Sequence, residues 1–159
     1  MERMIEILKK QLEIYQEILK ISEDKTDIIV KDKVDELKDM VAREEELVGQ
    51  FIPLEKERIS IVKAFGKSKG ITEVLKIPDL CEFFPDYTDE LMSLRNEIIN
   101  IPKKIAEKNK LNEQLVKNSL DYINFSVGLI TGTSGNPITY GNMGQANRNE
   151  AKKFLDISL

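Results

Sequence analysis

The residues best equipped for chemistry in this chain are its carboxylates, and their spacing points away from catalysis. Glu44-Glu45-Glu46 and Glu55-Lys56-Glu57-Arg58 set acids beside bases at helical spacing. That is the pattern of a solvated helix face, not of two carboxyls converging on one substrate. The 159 residues contain no histidine, so the commonest general base and metal ligand is missing. Cys81 is the only cysteine, which excludes a thiolate dyad with a second cysteine and any intrachain disulfide. No Gly-rich phosphate loop follows a strand. The sequence therefore assigns no catalytic, cofactor-binding or metal-binding residue, and it implies no cofactor and no enzyme.

Holding another protein is chemistry of a different kind, and here the sequence is more informative. From Tyr122 to Asn147 there is no charged residue, although one-third of the chain is charged. On a helical wheel, Leu111, Leu115, Tyr122, Phe125 and Leu129 fall on one face. Val116, Leu120, Ile123, Val127 and Ile130 fall on a second, roughly 135° away. A helix in a small bundle needs one such face to pack. A second is either buried as well or presented to a partner, and the expectation is that one stripe packs while the other is at least partly presented. Upstream, Asn109 and Asn112 interrupt the amphipathic pattern. A polar residue at a packed position can fix register; a surface position is the other reading.

These stripes need helices to hold them. Ile5, Leu8, Leu12, Tyr15 and Leu19 recur at intervals of three and four, and predict a helix over residues 2–23. Asp24–Asp27 reads as a break, and Asp32 as the N-cap of a second helix running to about Phe65. Pro53 lies inside that helix and predicts a kink near Gly49–Pro53, the helix then continuing. Gly66 and Gly70 mark its end. Residues 66–85 form a connector, with a short helical piece at Ile71–Ile77. Pro78 and Pro85 bracket a loop containing Cys81, Phe83 and Phe84, whose aromatics are expected to cover the end of the bundle. A third helix starts near Asp86–Thr88 and runs to about Thr131. Pro102 either kinks it or, with Asn100 as cap, divides it. The long connector lets the second and third helices pair antiparallel. The expected fold is all-α: an elongated antiparallel bundle of three main helices over residues 1–131. A flexible Gly/Asn-rich tail follows over 132–159, closing in the short amphipathic segment NEAKKFLDISL.

Composition agrees with long amphipathic helices. The chain is 41% hydrophobic and 33% charged, with only 6% aromatic residues and no tryptophan. Its 24 basic residues are interleaved with 28 acidic ones for a net charge of -4, so neither nucleic acid nor an anionic membrane is an expected partner. The N-terminus is periodic and charged, without a signal-peptide core, and no apolar run is long enough to span a bilayer. The expectation is a protein of the reducing cytoplasm.

The pattern N-x-x-N-x-x-L-V-x-x-S-L-x-Y-I is carried by Asn109, Asn112, Leu115, Val116, Ser119, Leu120, Tyr122 and Ile123. It resembles the FlgN-type flagellar export chaperones. So do E-E-E-L…L-E-K-E-R at Glu44–Leu47 and Leu54–Arg58, and the late Ile138-Thr139-Tyr140-Gly141 followed by Gly144. The resemblance runs from the first helix into the tail. It implies a cytoplasmic, non-enzymatic chaperone of type III flagellar export. Such a chaperone binds the C-terminal helical region of the hook-associated proteins at the hook–filament junction, prevents premature assembly and delivers its clients to the export gate. Export-apparatus components and a second copy of the chain are further candidate partners. The partner-binding residues expected from the stripes, the tail and the resemblance together are Leu115, Val116, Leu120, Ile123, Val127, Ile130, Tyr140, Phe154, Leu155 and Ile157. A self-associating structural coiled coil or helical adaptor is the alternative. It predicts strict heptads with charged flanks to the end of the last helix, which the uncharged stretch opposes.

Overall fold

The computed structural model describes residues 1–131. These form helix α1 (Glu2–Val30), α2 (Val34–Ser68), a short α3 (Ile77–Phe83), one 3-10 turn (Pro85–Tyr87) and α4 (Thr88–Thr131), with no strand among the described residues. At 1.5 Å per residue, α4 is roughly 65 Å long and α1 roughly 45 Å. The fold is all-α and elongated, as its periodicity requires.

Helix α1 lies between the other two long helices and packs along both. Cross-helix pairs give the directions. Arg3 meets Glu57 and Lys25 meets Glu44, so α1 and α2 are antiparallel. Lys9 meets Glu90 near one end of α1, and Thr26 meets Asn112 near the other, so α1 and α4 are parallel. Helices α2 and α4 therefore run in opposite senses, but each takes α1 as its main partner instead of the other. The reason lies in α1 itself. Met4, Ile7, Leu8, Tyr15, Ile18, Ile21 and Ile28 are all buried. At 100° per residue, the buried positions of α1 cover well over half its circumference. Leu47, Phe51 and Val62 of α2, and Leu91, Leu94, Ile98 and Ile105 of α4, complete one continuous core.

Three element boundaries differ from the sequence reading, each for a tertiary reason. The break expected at Asp24–Asp27 is helical, and α1 ends at Val30. The polar residues there have partners: Lys25 pairs with Glu44 at 2.6 Å, and Thr26 donates to Asn112. Ile28 and Ile29 are buried just beyond. The turn comes at Lys31–Lys33, with Asp32 in the left-handed region at φ 53° rather than capping α2. Aspartate tolerates that conformation better than most residues. In the connector, the helical piece is Ile77–Phe83 and not Ile71–Ile77. Pro78 falls in its first turn, where a missing N–H costs nothing, and the Asp79 carboxylate accepts from the Lys76 N–H at 2.7 Å. Cys81 is thus helical and half-buried. Phe65, Phe83 and Phe84 cluster at the end of α2, with ring centroids 5.2–5.3 Å apart. Both long helices continue through their prolines, so Asn100 starts no new helix.

Candidate partner-binding site

The face of α4 that packs on α1 is made by Leu91, Leu94, Ile98, Ile105 and Asn112, all buried. On the wheel these occupy one narrow sector. Val116, Leu120, Ile123, Val127 and Ile130 occupy the same sector further along. The second stripe is therefore the direct continuation of the α1–α4 seam. What ends is the cover. Asn112 stands opposite Ser22 and Thr26, and α1 stops at Val30. The last 13 or so residues of α4 reach roughly 20 Å beyond it.

Burial changes at that point. Ile105 is 4% exposed and Asn112 6%, whereas Val116, Leu120, Ile123 and Val127 are exposed and Ile130 reaches 85%. The first stripe fares no better: Leu115 is half-buried, Tyr122 is 72% exposed and Phe125 and Leu129 are each 64% exposed. Neither stripe of the overhang is core. Together they form an apolar, uncharged helix end. On a monomeric protein such a continuous patch marks an interaction surface.

A buried polar group marks the boundary. The Asn112 side-chain amide donates to the Ser22 carbonyl at 2.8 Å, and the Thr26 hydroxyl donates to the Asn112 side-chain oxygen at 2.7 Å. Both ends of the Asn112 amide are therefore satisfied inside an otherwise apolar seam. Of the two readings of Asn112, the packed one holds. Asn109 is half-buried.

Polar contacts elsewhere are structural. The Arg58 guanidinium grips Glu55 through two hydrogen bonds of 2.8 and 2.7 Å, and Gln11 donates to the same carboxylate at 2.9 Å. Sequence reasoning placed Glu55 and Arg58 on a solvated face, yet Arg58 is buried. Their i, i+3 spacing was visible in the sequence, but the inward orientation depends on how α2 meets Gln11 of α1. Tyr15 packs its ring on Phe51 at 4.8 Å, and burial raises its phenol well above the ordinary value. Among the described residues no group of three His, Cys, Asp or Glu could hold a metal ion. No described helix is long and apolar enough to cross a membrane.

Of the predicted partner-binding residues, Leu120, Ile123, Val127 and Ile130 come together on the overhang, and Leu115 and Val116 stand at its base beside the last turn of α1. Tyr140, Phe154, Leu155 and Ile157 lie outside the described residues, as does the whole predicted tail.

A three-helix scaffold whose longest helix carries its packing seam out past its partners, without charge, is the architecture of a protein-binding module. The family comparison is more specific. The model described as FlgN protein matches residues 1–148, and the chain belongs to that family, the chaperones of flagellar type III export. A similar curated protein is "Uncharacterized protein YvyG" of Bacillus subtilis (strain 168). It is 25% identical over 134 residues, covering 84% of this chain and 82% of the relative. No solved structure matches the chain.

Proposed function

We propose that this chain holds the C-terminal helical region of hook-associated, hook–filament junction proteins against the α4 overhang, in the cytoplasm, until export. Membership of a flagellar export chaperone family supplies the client pathway. The observation that supports the site is the uncovered seam: Leu120, Ile123, Val127 and Ile130 continue the α1-packing face past the end of α1 with no described helix over them, and Val116 stands at its edge beside the last turn of α1. A client helix laid there would take the position that α1 holds further down. Subunit segments destined to pair with each other in the assembled junction carry apolar helical stripes of their own. Covering such a stripe needs no covalent chemistry, cofactor or metal, only a complementary groove. The half-buried Leu115 lies at the start of this contact. In the same proposal, Tyr140, Phe154, Leu155 and Ile157 of the tail add contacts once a client is seated.

Purified hook-associated protein mixed with the full chain should co-elute with it on size exclusion. A client lacking its C-terminal helical region should not. Co-elution of the truncated client would overturn the proposed mode of binding. The same overhang could take a second copy of the chain, and light scattering of the chain alone separates that outcome.

A further inference from the structure

We propose that Asn112 sets the register of α1 against α4, and so fixes how much of the seam is left uncovered. The need for such a device follows from the stripe itself. From Leu91 to Ile130 one sector of α4 is apolar except at Asn109 and Asn112, and of these two only Asn112 is buried. Apolar packing has little directional preference, so a parallel helix could settle on such a stripe at several positions one turn apart. The α1–α2 pair is protected against slippage by two part-buried polar contacts, Gln11–Glu55 and Lys25–Glu44. Between α1 and α4, the Lys9–Glu90 pair is exposed at both ends and weakly constraining. The Asn112 amide is different. It is buried, and it is bonded on one side to the Ser22 carbonyl and on the other to the Thr26 hydroxyl. A slide of one turn, about 5 Å, would break both bonds and leave a buried amide without partners, while the apolar contacts would largely be replaced by equivalent ones. Polar residues at packed helix positions are best attested in this role.

The consequence bears on function, and this part rests on the partner-binding reading above. A slide of α1 by one turn toward the C-terminal end of α4 would bring it over Leu120 and shorten the surface offered to a client. Asn112 is thus a positioning residue that need not touch the client.

The test reads register directly and needs no client. In the full chain carrying Cys81→Ser, spin labels at Glu13→Cys and Lys110→Cys report the axial offset of α1 and α4 by pulsed electron–electron resonance. With Asn112 in place a single distance is expected. Asn112→Leu, which removes the buried polar group from the stripe, should shift that distance or add a second population offset by about 5 Å. Helicity should be retained. Asn109→Leu, three residues away, should leave the distance single. Should Asn112→Leu fail to fold, Asn112→Ala reads the same register without adding bulk. One unchanged distance in the folded Asn112 variant overturns the proposal, as does an equal shift in Asn109→Leu.

Discussion

Gln11, Ser22, Lys25, Arg58 and Asn112 are the buried polar side chains among the described residues, and all but the Ser22 hydroxyl have a partner on a neighbouring turn or helix. The Arg58–Glu55–Gln11 cluster is the most demanding. Arg58→Ala would leave the half-buried Glu55 carboxylate with Gln11 as its remaining donor, so it should lower unfolding free energy by about 1–3 kcal/mol in urea titrations. A loss near zero would mean the pair is solvated in solution. The exposed pairs act instead through pH. The Arg3 hydrogen bond, ahead of other causes, holds the Glu57 carboxyl below its ordinary 4.5, and hydrogen bonds from Lys10 and then Arg3 do the same for Glu6. A carboxyl whose pKa is lowered by folding contributes stability above its unfolded value, and that stability is lost as pH falls through the folded one. Melting temperature should thus decline as pH drops below about 4.5. Arg3→Leu should flatten that decline, and raised salt should weaken it. Tyr15 has the opposite sign. Burial raises its pKa above 10.0, so its contribution is complete below pH 10.0 and lost as pH rises through the folded value.

At the scale of elements, the sequence disclosed the helices better than their ends. The spacing of Ile5, Leu8, Leu12 and Tyr15 specifies α1, and the start of α4 near Thr88 and its end at Thr131 could be read from charge and glycine placement. The last turns of α1 could not. Asp24-Lys25-Thr26-Asp27 is locally a breaker, and it is helical because Glu44 and Asn112, 19 and 86 residues away from their partners, satisfy Lys25 and Thr26. Information of that range is absent from any local window. The candidate site shows the same division. Both stripes of α4 were visible on a wheel, but where cover ends depends on where α1 stops, which only the fold determines. A pair of substitutions in one sector makes the point measurable. Ile105→Asp, under α1, should unfold the bundle or cost several kcal/mol, because it buries a charge without a partner. Val127→Asp, in the same sector beyond α1, should change stability by no more than about 0.5 kcal/mol. Equal losses at the two sites would mean that the overhang is covered in the free protein.

Across the whole molecule, α1 is the spine, α2 and α4 flank it, and the length mismatch between α1 and α4 creates the surface assigned to clients. The central claim is that this mismatch is the holding site. It is tested most directly by titrating a hook-associated protein against the full chain and its Ile123→Asp variant, with the thermal melt of each recorded alongside. Loss of binding by tenfold or more, about 1.4 kcal/mol, with an unchanged melting temperature is the predicted result. Undiminished affinity in the folded variant would contradict it.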